Sequence, residues 1–235
     1  MQNLFTPARF MQLAVAALAV WGVVAAVQVV VPATAADVAI IKTRWQIDQW
    51  ASGKAPQPSI VAWGKARNAV AEAIRITPLD PNLHENLAYL YASRAQASVF
   101  APDLARDLMQ QALASYQRSV QLRPMSGPTW SNIAAALHSL ATEERETAEA
   151  LSTMWAAFDK AMAYGQRDPG VQLVLADIGF ARWESMSATR QQALLAMVDA
   201  ATAETRPNID AIATRHNQAQ QLPSEPVSPN TAPNQ

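Results

Sequence analysis

The chain has no cysteine among its 235 residues and only seven glycines. Without cysteine there is no disulfide framework, no thiolate metal site and no cysteine nucleophile. The glycines never fall as Gly-x-Gly, which excludes a dinucleotide-binding fingerprint and a P-loop. Charge is also scarce: Asp, Glu, Lys and Arg make up 16% of the residues, and the net charge is -1. That balance excludes the basic stripe with which a nucleic-acid binder meets phosphates. What the chain has in place of these is abundant alanine, glutamine, leucine and arginine, which lose little conformational freedom in a helix. The composition predicts an all-α, non-enzymatic protein without a cofactor.

The averages conceal an uneven chain. No charge falls between Phe10 and Ala36, and Leu13–Val31 has one polar member, Gln28. As a helix this stretch would be about 28 Å long, close to the hydrocarbon thickness of a bilayer. Two readings fit it. A retained single-pass anchor suits its length. A long secretory signal suits Ala33-Thr34-Ala35, an Ala-x-Ala site with cleavage before Ala36. Length favours the anchor. The short N-terminal tail favours an N-in, C-out orientation, which in a bacterium puts the rest of the chain in the periplasm. Lipoprotein attachment is excluded because no cysteine follows the apolar stretch. At the other end, Leu222–Gln235 has four prolines and almost no bulky apolar groups. It cannot bury enough surface to offset its ordering entropy, so it is expected to be disordered. The expected organisation is 1–36 anchor or long signal, 37–220 helical domain and 221–235 Pro-rich tail.

The middle region carries a repeat. Aligned on Pro78 and Pro124, residues Ala66, Val70 and Ala73 match Ala112, Tyr116 and Ser119, in a small-x3-large-x2-small-x4-Pro pattern. Small residues let two helices approach, the larger one fills the seam, and proline ends the helix because it has no N–H to donate. Met154, Phe158 and Ala161 form a degenerate third set, with Gln166 in place of the proline. Each proline precedes another amphipathic segment, with Leu87, Ala88 and Tyr91 on one face of the first. On the second, Trp130, Ile133, Ala134 and Leu137 take spacings of +3, +4 and +7. Helices are expected at about 8–32, 37–52, 59–77, 81–99, 103–123, 127–141, 143–165, 169–184, 187–205 and 207–220.

Trp130 to Leu137 and Ala112 to Pro124 resemble the tetratricopeptide repeat, whose pattern is W-x2-L-G-x2-Y, A-x3-F, P. The resemblance implies an array of helical hairpins, an α-solenoid. The 46-residue interval between Pro78 and Pro124 exceeds the usual 34, with the extra residues expected around 96–108 and 139–151. An unrelated Ala-rich helical bundle is the competing reading. The run DPGVQLVLADIGFARW, Asp168–Trp183, with Arg190 following, is similar to repeat domains encoded in bacterial exopolysaccharide and O-antigen clusters. That resemblance spans about 120–205. It implies a membrane-anchored accessory protein of polysaccharide polymerisation or export.

Chemistry is sparse. His84, His138 and His216 are isolated, without His-x3-His or His-Glu-x-x-His spacing, so no metal ligand set is expected. There is no Gly-x-Ser-x-Gly elbow. Glu143, Glu144, Glu146 and Glu149 read as a helix start that favours negative charge. Asp159 and Asp168 read as helix-face or cap residues. The tetratricopeptide resemblance implies a concave groove lined by first helices. It would present Glu85, Asn86, Tyr89, Ser93, Ser131, Asn132, Ala135, His138, Ser139 and Asp177 to a partner. The Lys/Asn/Arg set that clamps a C-terminal carboxylate in some arrays is missing. Trp45, Trp63, Trp130, Trp155 and Trp183 read as core, with Trp50 a partial exception. The expected function is a periplasmic scaffold on the bacterial inner membrane, binding envelope proteins such as polysaccharide polymerase or export components. The alternatives are an adaptor for cytochrome maturation, secretion or division, and, remotely, an enzyme acting on envelope glycans.

Overall fold

The computed structural model describes residues 11, 16–24, 40–141 and 147–223, and among them all regular structure is helical. The protein is all-α, as the composition predicts. Most of Leu13–Val31 lies outside the described residues; 16–24 are helical, with Leu18, Val20, Trp21, Val23 and Val24 exposed. Among the described residues no helix is long and apolar enough to cross a membrane. Glu143, Glu144 and Glu146 lie outside them, as does the tail beyond Pro223. The chain divides into two compact units, Met1–Leu90 and Tyr91–Gln235.

The first unit contains a helix over 40–51 (α1), α2 (Ile60–Ile76) and the start of α3 (Pro81–Gln96). Each helix contributes residues one heptad apart to one core: Ile40 and Ile47, Ala66 and Ala73 around Val70, and Leu83 and Leu90. Such residues share a helix face, so three stripes meet. Ser59 caps α2 by accepting from Ala62 N at 3.2 Å. The Trp63 indole N–H donates to Leu90 O at 2.7 Å, fixing α2 against α3. Arg44 reaches Asp80 at 2.8 Å, tying α1 to the turn that follows α2.

The second unit contains α4 (Pro102–Leu122), α5 (Gly127–Leu140), α6 (Ala148–Gly165), α7 (Pro169–Ala181), α8 (Ala188–Asp199) and α9 (Arg206–Arg215). Short 3-10 turns cover Trp183–Ser185 and Ala219–Gln221. α5 packs on α4, α6 and α7, and α7 packs also on α6, α8 and α9. Local chemistry sets the boundaries. Ser126, Thr147, Asp168 and Ser187 cap α5, α6, α7 and α8 through their side-chain oxygens. Proline stands in the first turn of α4, α5, α7 and α9, where its missing N–H costs nothing.

The seam residues are interior. Ala66, Val70 and Ala73, then Ala112, Tyr116 and Ser119, then Met154, Phe158 and Ala161 are all buried. Between the two prolines the added length goes mainly into α4, which runs 21 residues.

Four expectations need correction. The helix expected at 143–165 starts only at Ala148, where the Thr147 side chain caps it. The helix expected at 187–205 stops at Asp199. Thr202 Oγ1 there accepts from Thr205 N at 3.3 Å, a turn that competes with the helix ladder. The helix expected at 207–220 stops at Arg215. Asn217 takes φ 56, and Gln218 N donates back to Ala213 O at 2.8 Å, a left-handed C-terminal closure. Trp45, read as core, is exposed on α1. A tryptophan is more often buried than exposed, but here Ile40 and Ile47 supply the face of α1 that packs.

Candidate functional site

One local motif recurs at the start of three helices. The His84 ring Nε2 lies 2.9 Å from Pro78 O, Trp130 Nε1 donates to Pro124 O at 2.7 Å, and Gln172 Nε2 donates to Gln166 O at 2.8 Å. Each donor is the fourth residue of its helix, and each acceptor lies six residues earlier. A carbonyl only accepts, so His84 carries its proton on Nε2. Three different side chains therefore satisfy the same carbonyl at the same place. The motif pins the turn before α3, α5 and α7 to the helix that follows it.

These three helices carry the groove residues expected from the sequence. Glu85, Asn86 and Tyr89 are half-buried in the first unit. Tyr89 packs against that unit's core, and burial raises the pKa of its hydroxyl. Ser93, Ser131, Asn132, Ala135, His138, Ser139 and Asp177 belong to the second unit. Ser93 is buried at 8% exposure. Ser131 is only 2% exposed, and its hydroxyl donates to Pro128 O at 2.8 Å. It therefore presents no open face. Asn132 and Ala135 are half-buried, and Ser139 is exposed.

His138 and Asp177 are held by partners far away in sequence. Arg182 Nε donates to His138 Nδ1 at 2.8 Å, joining α5 to the end of α7. A guanidinium N–H only donates, so Nδ1 is the acceptor in this bond. Asp177 Oδ1 takes Arg215 Nη2 at 2.6 Å and His216 Nε2 at 2.7 Å, tying α7 to the end of α9. Arg182, Arg215 and His216 were not expected at the site. Their partners lie 38 to 44 residues away, which no local pattern encodes.

The second unit carries three further features. Lys160 Nζ sits 3.9 Å from the ring centroid of Trp130, a cation–π contact. Arg190 bonds both carboxylate oxygens of Asp159 at 2.8 Å and lies over Trp155; the Asp159 hydrogen bonds raise its pKa. A crevice of about 350 Å³ opens among Ala95, Val99, Pro102, Ala105, Met109 and Leu140. Its walls are apolar apart from Arg106 and a few hydroxyl and amide groups, so it suits an apolar side chain better than a polar substrate.

No three His, Asp or Glu side chains gather in a metal-holding arrangement among the described residues. Comparison with protein-family models, with curated proteins and with solved structures finds no match for this chain.

Proposed function

We propose that this chain is a membrane-anchored, non-enzymatic scaffold on the periplasmic side of a bacterial inner membrane. Its tetratricopeptide-like helical array holds proteins of exopolysaccharide polymerisation or export. The observation that carries the repeat reading is the recurring hydrogen bond from His84, Trp130 and Gln172 to the carbonyl six residues earlier. The packing of α5 on both α6 and α7 supports it, since successive first helices touch in such arrays. The anchor reading draws on Leu13–Val31 and on the exposed apolar side chains of its described part. Partner contact is assigned to the half-buried polar residues of the first helices, with Asn132 and His138 foremost.

Removal of the gene from its bacterium tests the pathway: extracellular polysaccharide should fall in yield or chain length. Unchanged polysaccharide would overturn that assignment. Photo-crosslinkers at Asn132 and Asp177 in the full chain test the groove. Adducts with polysaccharide polymerase or export proteins are expected. Adducts only with another envelope system would replace those partners while leaving the scaffold reading in place.

A further inference from the structure

The helix α1 has two apolar faces. Ile40 and Ile47 fill the core and fix the helix's rotation. Ile41 and Trp45 are four residues apart, so they share a different face, about 130° round from the first at about 100° per residue. They are 68% and 62% exposed. Because the core holds Ile40 and Ile47, neither side chain can turn inward without unpacking the unit.

This face changes character along its length. Ile41 and Trp45 come first, with Lys42 beside them; Asp48 continues the same side, and it is exposed. The apolar residues are those nearest in sequence to Leu13–Val31, and the anionic one lies about 10 Å further along the helix from Ile41. Eight residues, 32–39, separate Val31 from Ile40. Even fully extended they reach only about 30 Å. If Leu13–Val31 spans the bilayer, this helix stays beside the membrane surface at high effective concentration.

We propose that Ile41 and Trp45 insert into the headgroup layer of the membrane, with Lys42 against anionic lipid phosphates and Asp48 in water. Tryptophan suits that depth because its ring is apolar and its N–H is polar. Two apolar side chains make a weak membrane contact alone, and the tether strengthens it by raising the effective concentration. The inference rests on the anchor reading given above.

The absence of cysteine makes the test direct. Single substitutions Leu18→Cys, Ile41→Cys, Trp45→Cys and Asp48→Cys are made in the full chain and spin-labelled. Each variant is reconstituted into vesicles of phosphatidylcholine and phosphatidylglycerol. Collision rates are measured with oxygen, which concentrates in lipid, and with a water-soluble nickel chelate. Labels at 18, 41 and 45 should favour oxygen several-fold, and the label at 48 should favour nickel. Ile41→Cys keeps Trp45, so a label effect at 45 alone cannot mimic the result. Labels at 41 and 45 that match 48, with 18 still in lipid, would overturn the inference and spare the anchor. A label at 18 that favours nickel would overturn the anchor and the inference together. Shielding of 41 and 45 from both reagents would mean that protein covers this face, and would also overturn it.

Discussion

Trp130 donates its indole N–H to the carbonyl of Pro124, the residue that follows the C-cap of α4. The ring thus closes the turn between α4 and α5 while Lys160 of α6 covers its face at 3.9 Å. One side chain couples three successive helices. Trp130→Phe keeps most of the apolar area, loses the hydrogen bond and weakens the cation–π contact. Urea unfolding of the full chain in detergent should show a loss of about 1–2 kcal/mol with an unchanged slope. An unchanged midpoint would mean that water replaces the indole at Pro124 without cost.

The start of α5 and the end of α6 meet backbone to backbone at Gly127 and Gly165. A Cβ on Gly127 would stand 2.6 Å from Gly165 Cα, and a Cβ on Gly165 would stand 2.9 Å from Val171 Cγ2. Gly127→Ala must push two helices apart, so it should cost about 1–3 kcal/mol or more. Gly64, inside α2, has nothing within 4 Å of its built Cβ. Gly64→Ala should instead gain up to about 1 kcal/mol by improving helix propensity. Thermal or urea unfolding of both variants checks the opposite signs.

Two phenylalanines test burial against chemistry. Phe158 is 1% exposed in the second unit's core, in edge contact with Trp155, while Phe100 is 99% exposed. Phe158→Ala should cost about 3–5 kcal/mol through lost burial and a cavity. Phe100→Ala should stay within about 0.5 kcal/mol. Equal effects would contradict the packing described for α6.

Glu72 and Arg75 form an exposed pair on α2, with Arg75 Nε and Nη2 donating to the carboxylate at 3.0 and 2.7 Å. The hydrogen bond to Arg75, aided by its charge, holds the Glu72 carboxyl below its ordinary 4.5. A lowered folded pKa contributes stability above the unfolded value, and that contribution is lost as pH falls through the folded one. Carboxyl NMR titration should place the Glu72 midpoint below 4.5, and Arg75→Gln should return it towards that value. A midpoint at or above 4.5 in the unsubstituted chain would show that solvent breaks the pair.

Helix starts were legible because their signals are local. Ser59, Asp168 and Ser187 stand at or beside the expected starts of α2, α7 and α8, and Pro169 opens α7; α6 instead starts at Ala148 behind Thr147, later than the expected 143. Helix ends were less so: the turn at Thr202 and the left-handed Asn217 depend on hydrogen bonds that helical periodicity does not reveal. At the candidate site, sequence register put His138 and Asp177 forward as groove positions. It could not show that Arg182 and Arg215 occupy them, nor that Ser131 turns to its own backbone.

The residue pattern alone determined that the chain is helical, that it lacks a cysteine or phosphate-loop chemistry, and which triplets on α2, α4 and α6 are buried. These follow from propensity and from a period near 3.6 residues, both properties of short segments. The tertiary structure decided which of two apolar stripes on α1 packs, why Gly127 and Gly165 must be glycine, and which charges hold His138 and Asp177. Those outcomes depend on surfaces brought together from distant parts of the chain, where each contact is set by the position of whole helices.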